Sequence, residues 1–313
     1  MMRLGPCISI ITKNSRNPAY EGARIGVDRT LSQYGAKSIH YVPMEPDDIG
    51  EQSQLIQCAI NDKPDAILLA PAHETLMLAA IKKVIKSRIP LFCFVSNPVP
   101  SPSITFVGSD NFGLAHSMAV YLATHLKGRG EIVIVNGHPN AATTGPRAEG
   151  FREGLKAFPK IAIGDEIEGD YQREIAASAF DKVVRRKGLP DGVLAANDFM
   201  ACGVWDILRK RGANLPLVGA NATPDGISLI KEGAMLASAA FDAMSMASLA
   251  AESAIRYLQG KHVPSNIELP VKMIDRNSIT LWDKPYMERE CYTWEQAMEL
   301  GRVWYPPSSS CRI

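Results

Sequence analysis

Pro64-Asp65-Ala66-Ile67-Leu68-Leu69-Ala70 and Pro190-Asp191-Gly192-Val193-Leu194-Ala195-Ala196 are two versions of one phrase. In each, a Pro-Asp pair opens an unbroken apolar run that is too short for a helix and lacks polar alternation. Such a run reads as a strand buried on both faces. The flanking sequence keeps the same step. Ile8 to Thr12 precedes a helix carrying Asn17, Pro18 and Tyr20, and Ile132 to Asn136 precedes a helix carrying Arg147. The repeat implies two like α/β lobes with a cleft between them.

Further apolar runs at Ile39 to Val42, Leu91 to Val95 and Ile104 to Val107 extend the first set, and Glu131 to Val135, Ile161 to Ile163 and Pro216 to Gly219 extend the second. Helical spacing fills the gaps: Tyr20, Ala23, Val27, Leu31 and Tyr34 recur at steps of three and four, and Gly35 is placed to stop the helix. A doubly wound parallel sheet in each lobe, with right-handed crossovers, accommodates this alternation. Long helices are expected after Asn111 and from Ala243 to Leu258. The chain should therefore cross between lobes near residues 109, 241 and 270, giving a multi-strand hinge. One lobe would comprise residues 1–109 and 242–269, and the other 110–241 and 270–278. Residues 279–313 break the pattern with Trp282, Tyr286, Tyr292, Trp294, Trp304 and Tyr305, and read as an extension strapped over one lobe. The alternative is a poorly ordered tail, since Pro306-Pro307-Ser308-Ser309-Ser310 has linker composition.

The 313 residues suit two lobes, and 34 basic against 33 acidic residues leave no footprint for nucleic acid or an anionic membrane. A small-molecule partner is the expectation. No run reaches the roughly 20 apolar residues of a transmembrane helix, and the first residues lead straight into a strand without an export signal. The six cysteines, at 7, 58, 93, 202, 291 and 311, lack C-x-x-C spacing and are expected to be buried free thiols.

The ordered motifs Asn17-Pro18-x-Tyr20, Ile89-Pro90-Leu91, Gly108-Ser109-Asp110-Asn111, Arg147-x-Glu149-Gly150-Phe151, Gly169-Asp170-Tyr171, Ala196-Asn197-Asp198, Val218-Gly219-x-Asn221-x-Thr223-Pro224-Asp225-Gly226 and Leu236-Ala237-Ser238 carry a family resemblance. Over about residues 7 to 275 the chain resembles the type I periplasmic sugar-binding proteins of the ribose-binding kind, whose fold the effector domains of the lac and purine repressors share. The resemblance implies a ligand held between lobes by the loops after the carboxyl ends of the strands, where open α/β sheets bind. It makes Asn17 and Asn197 hydrogen-bonding amides, Tyr20 and Tyr171 aromatic walls, and Arg147 a fork of donors. An amide both donates and accepts, as a sugar hydroxyl does, and a ring face suits the sugar's C–H surface. The plainer alternatives are that Asn17 caps the first helix, that Tyr171 is a surface residue and that Arg147 is a solvated helix residue.

The departures bear on the ligand. Where the ribose-binding pattern has an Asp-Arg pair, this chain has Val95-Ser96 followed by Asn97. An aspartate becomes Asn221, a hinge glutamine becomes Phe241, and Ala19 replaces an aromatic residue. Two carboxylates and one arginine are thus lost, and with them the strong charge-assisted acceptors usual in sugar sites. Arg147 in a closed cleft without those aspartates would be a costly buried charge. Either a carboxylate or phosphate on the ligand balances it, or the ligand is a neutral sugar, polyol or deoxysugar and Asp110, Asp170 or Asp242 pairs with Arg147.

No G-x-G-x-x-G, G-x-x-x-x-G-K-[ST] or G-x-S-x-G follows any strand, and the histidines at 40, 73, 116, 125, 138 and 262 lack metal-ligand spacing. His73 and His138 follow strands and read as residues at the cleft mouth. Neither a catalytic constellation nor a cofactor is expected. The reading is a monomeric, exported solute receptor that closes on its ligand and presents the closed form to the membrane permease of an ABC importer or to a membrane sensor, with periplasmic or cell-surface location implied by the resemblance. The alternative is the ligand-sensing domain of a transcriptional regulator, for which a helix-turn-helix would precede the first strand; only six residues precede Cys7.

Overall fold

The computed structural model describes residues 5–306. In chain order the first elements are β1 Cys7–Ile11, α1 Pro18–Gln33, β2 Lys37–Tyr41, α2 Ile49–Asn61, β3 Ala66–Leu69, α3 Leu78–Lys86, β4 Leu91–Phe94 and β5 Thr105–Ser109. There follow α4 Asn111–His125, β6 Arg129–Asn136, α5 Thr144–Leu155, β7 Lys160–Glu168, α6 Arg173–Lys187, β8 Gly192–Ala195, α7 Asp198–Lys210, β9 Leu217–Ala220, α8 Pro224–Glu232 and β10 Ala237–Ala239. The chain ends with α9 Ala243–Leu258, β11 Asn266–Leu269, β12 Met273–Asp275, α10 Trp294–Leu300 and β13 Arg302–Trp304.

Two compact units result. The first takes residues up to Ser109, Ala243–Pro270 and residues from Glu290 onward; the second takes Asp110–Asp242 and Val271–Arg289. The segment expected to strap one lobe is therefore shared, with Ile279–Arg289 in the second unit and the residues after it in the first. Pro307 to Ser310, part of the linker-like stretch, and Cys311 lie outside the described residues.

The first unit holds a seven-stranded sheet of order β13-β11-β5-β4-β3-β1-β2, parallel except for β13. Alternation along the strands covers both of its faces. Ile11, Ile67, Leu69, Leu91 and Cys93 pack with Ile56 of α2 and with Ile81 and Val84 of α3. Phe92, one step out of phase, meets Tyr257 of α9 edge-on at 5.9 Å between centroids. All four residues of β3 and of β4 are buried, whereas β2 is largely exposed because it is the sheet's edge. An edge strand has a neighbour on only one side, so the Ile39 run was not buried on both faces as its apolar sequence suggested.

The second unit holds a six-stranded sheet of order β12-β10-β9-β8-β6-β7, parallel except for β12. β7 runs well beyond Ile161 to Ile163, its polar residues being tolerated at a partly exposed edge. Helices α4 and α5 approach closely through Gly150 and Gly154: a Cβ on Gly150 would lie 2.3 Å from the Phe112 carbonyl oxygen. The glycines of the Arg147 motif thus let α5 lie against α4, and that closeness sets where Arg147 begins. The five described cysteines are free thiols; Cys93 and Cys202 are buried, Cys7 and Cys291 partly so, and Cys58 is exposed. Burial was expected; Cys7 and Cys291 reach it only in part, and Cys58 departs because it lies on an exposed position of α2.

Candidate functional site

In the first unit the loops after β1, β3 and β4 gather at the carboxyl edge of the sheet. Asn14 organises the first loop: its Oδ1 accepts from the Arg16 and Asn17 amides at 2.9 and 2.8 Å, and its Nδ2 donates to Asp47 Oδ2 at 3.0 Å. Asn17 then caps α1, its Oδ1 accepting from the Ala19 amide at 3.0 Å, with Pro18 at the first helical position. The cap uses the amide oxygen, so the Nδ2 group is what Asn17 can offer a ligand. Tyr20 follows in the first turn of α1 and is buried.

Gln52, fully buried in α2, ties the loops together. Its Nε2 donates to the carbonyls of Thr12 and Ala70 at 3.1 and 2.9 Å, and its Oε1 accepts from the Ala72 amide at 2.8 Å. Lys13, which the sequence reading passed over, is only 4 % exposed, and its Nζ lies 3.4 Å from Asp47 Oδ1. Its signal was available: a lysine directly after a buried strand and Thr12 is unusual unless something accepts its charge.

At the end of β4 the backbone turns sharply. Val95 has φ +65° and the Ser96 amide donates back to the Phe94 carbonyl at 2.7 Å. A β-branched residue is an outlier in this region, where backbone strain tends to collect at functional positions. Ser96 is buried, and its Oγ has no hydrogen-bond partner among the described residues; the same is true of Thr12 Oγ1. Asn97 differs: its Oδ1 accepts from Ser101 Oγ at 2.8 Å, so it serves its own loop.

In the second unit Arg147, Tyr171, Asn197 and Phe241 converge. Arg147 is 3 % exposed. Its Nε donates to Asn111 Oδ1 at 2.9 Å and its Nη1 to the Ala196 carbonyl at 2.5 Å, while its Cζ lies 4.8 Å from the Phe241 ring centroid and 6.0 Å from that of Tyr171. Neutral oxygens and ring faces therefore meet part of the charge that the sequence assigned to a ligand anion or an aspartate. Of the three candidate aspartates, Asp110 caps α4 by accepting from the Gly113 amide at 2.9 Å, and Asp170 lies 3.7 Å from His138 Nε2.

Tyr171 is buried, not a surface residue. Its hydroxyl pairs with Thr143 Oγ1 at 2.7 Å and with Thr144 Oγ1 at 3.2 Å. Gly137 makes room for it, since a Cβ there would lie 2.0 Å from Tyr171 Cζ. Asn197 repeats the Asn17 device, capping α7 by accepting from the Met200 amide at 2.8 Å.

Beside it, fully buried Asp198 collects donors. Its Oδ2 accepts from the Thr223 amide at 2.8 Å and from Thr223 Oγ1 at 3.3 Å, and its Oδ1 from Ser238 Oγ at 2.7 Å. A Cβ on Gly219 or Gly226 would stand 2.4 Å from one of those carboxylate oxygens, which accounts for both glycines of that motif. Desolvation pushes the Asp198 carboxyl up to about 7, against the opposing pull of these hydrogen bonds. The loop so held presents Asn221, whose Oδ1 is without a partner among the described residues, as is Asn136 Oδ1 at the end of β6.

The family model for the periplasmic binding protein domain matches residues 8–262. The ribose import binding protein of Bacillus subtilis is 24% identical over 268 residues, 85% of each chain. Among solved structures, an ABC transporter solute-binding protein from Burkholderia graminis in complex with D-arabinose superposes with a TM-score of 0.83 at 21% identity, covering 91% of this chain and 100% of that one. The fructose-binding periplasmic domain of a hybrid two-component system gives 0.82 at 20% identity, covering 88% and 93%. At these identities the structural likeness is one of fold.

Proposed function

The chain belongs to the periplasmic binding protein domain family, and from that premise we propose that it is a solute receptor for a small neutral polyhydroxylated ligand, met by polar atoms at the carboxyl edge of its sheets. One observation carries the reading: the unpartnered Thr12 Oγ1, Ser96 Oγ, Asn136 Oδ1 and Asn221 Oδ1 all sit at carboxyl ends of strands, two in each unit. Buried polar groups ordinarily have partners, so a set of orphans at these edges points to groups that a ligand satisfies.

Their chemistry selects the ligand. Two amide oxygens need donors, the Nδ2 groups of Asn17 and Asn197 are able to donate, and the two hydroxyls do either. Sugar and polyol hydroxyls meet all of these demands. A carboxylate only accepts, and would leave the amide oxygens unpaired. Val95 and Phe241, standing where the ribose-binding pattern is polar, suit a C–H-rich or deoxy face.

A ligand that binds one form of the receptor better than another favours that form by its differential affinity alone, and the liganded form is what a partner reads. That partner is the permease of an ABC importer, a reading supported by the Bacillus subtilis relative's name as a ribose import binding protein, with the protein working as a monomer outside the cytoplasmic membrane and without catalysis. The fructose-binding domain of a two-component system shares the fold and is the counterpart in which a sensor would be the reader.

A thermal-shift panel of D-ribose, D-arabinose, D-allose, xylitol, myo-inositol, D-gluconate and ribose 5-phosphate tests the proposal. A ligand bound only by the folded state raises the melting temperature. We expect a rise with neutral compounds that is largely lost in Arg147→Ala, whose folded state persists. A rise confined to the acidic compounds would overturn the neutral assignment, and no rise with any would overturn the receptor reading.

A further inference from the structure

The stretch Ile279–Arg289 lies beyond the residues matched by the family model, yet it reaches back to the loop that presents Asn221. Arg289 is 5 % exposed. Its Nη1 donates to the Ala222 carbonyl at 2.6 Å, its Nη2 to the Trp282 carbonyl at 2.6 Å and its Nε to the Lys284 carbonyl at 2.9 Å. Two of these carbonyls belong to the stretch itself and wrap it around the guanidinium; the third belongs to the loop. The rings of Tyr286 and Trp282 lie with centroids 5.1 and 5.6 Å from Cζ. Asp283 pairs with Lys231 of α8 at 2.7 Å, fastening the same stretch to the helix that follows the loop.

The loop needs holding. Asn221 and Ala222 have φ values of +105° and +49°, a region that L side chains rarely adopt. From the sheet side, the Asn221 amide donates to the Ala239 carbonyl at 2.8 Å, the Ala222 amide to Ser238 Oγ at 2.9 Å and the Thr223 amide to Asp198 Oδ2 at 2.8 Å. Those three bonds fix the donors of the loop. The Ala222 carbonyl, the outward acceptor of the strained pair, is fixed by Arg289.

We propose that Arg289 is a positioning residue of the ligand site, holding the Ala222 peptide so that Asn221 Oδ1 meets the ligand. This rests on the reading of Asn221 as a ligand-contacting group. A guanidinium fits the task because its planar fork reaches three diverging carbonyls at once, which an ammonium on a flexible stem does not.

Arg289→Met keeps the apolar stem against the rings and removes every donor, and Arg289→Lys keeps a cation. Kd values for D-ribose, D-arabinose, D-allose, xylitol and myo-inositol are to be measured by calorimetry for both variants, for Asn221→Ala and for the Met/Ala double variant. Losing a charge-assisted bond to the loop should weaken binding of the responsive ligand by about tenfold or more in Arg289→Met, with Arg289→Lys between it and the parent. If Arg289 acts through Asn221, the double variant binds no more weakly than Asn221→Ala alone. Unchanged affinity in Arg289→Met, or losses that multiply in the double variant, would overturn the proposal.

Amide hydrogen exchange supplies a ligand-free readout, which Arg289→Lys provides if Arg289→Met does not fold. Exchange at Ala222 and Thr223 should quicken while β9 and α7 keep the parent's rates, and unaltered exchange at those amides would sink the idea. If no compound binds the parent, the receptor reading fails, while the exchange result still decides whether Arg289 holds the loop.

Discussion

Gln52 in the first unit and Asp198 in the second do the same job with different chemistry. Each is fully buried near the start of a helix, and each ties together backbone that follows the carboxyl ends of strands. Gln52 faces two carbonyls and one amide, so it must both donate and accept. Asp198 faces one amide and two hydroxyls, all able to donate, so a carboxylate serves. The inventory of facing groups thus decides whether an edge is tied by a neutral or a titratable group. Proton sensitivity enters at the Asp198 edge, where burial lifts the carboxyl to about 7.

The sharpest way to break this comparison is Gln52→Glu. An ionised carboxylate would face the carbonyls of Thr12 and Ala70. The expected cost at neutral pH is about 3–5 kcal/mol, as for an unpaired buried charge. The protonated acid restores a donor, so much of the loss should return towards pH 4 in urea denaturation. An equal loss at pH 4.5 and pH 8 would refute the donor argument.

Next in size is Asp198→Asn. With its pKa raised on folding to about 7, the native state holds a proton that the unfolded chain releases near pH 4. The Asp198 contribution is therefore fully present below about pH 4 and is lost as pH rises towards 7, a change on the order of a few kcal/mol. Asp198→Asn should flatten that slope in unfolding free energies measured across the window; an unchanged slope would show that other groups produce it.

The smallest expected effect separates cap from ligand contact. Asn17→Asp keeps the oxygen that caps α1 and removes Nδ2, so stability should hold while sugar affinity falls by about tenfold. Asn17→Ala loses both, at a stability cost of about 1 kcal/mol. Retained affinity in Asn17→Asp would return Asn17 to a purely structural role.

Legibility in the sequence followed the range of the interaction. The Asn17 cap spans two residues and could be weighed as an alternative from the Asn-Pro pair alone. The Arg147 motif was recognisable, but its partners Asn111 and Ala196 stand 36 and 49 positions away, and nothing local announced that neutral oxygens and rings would meet part of its charge. Lys13 was hidden because its partner Asp47 lies in another loop with positive φ. The aromatic-rich end misled for a related reason. Its composition signalled packing against something, but not that it would divide after Arg289 between two units.

The sequence by itself determined the two α/β units, the order of their strands and helices, and the loops that carry the polar candidates. Those features follow from apolar runs, helical spacing and Gly or Pro stops, all of which act over a few residues. Only the tertiary structure decided which polar atoms remain without an internal partner: the oxygens of Asn17 and Asn197 are spent on caps, the Tyr171 hydroxyl on two threonines, and Ser96 and Asn221 are left with orphans among the described residues. The Arg289 hold on Ala222, 67 residues away, belongs to the same class. A hydrogen bond between distant residues depends on where separate elements come to lie, and that placement is set by the packing of whole faces rather than by any local pattern.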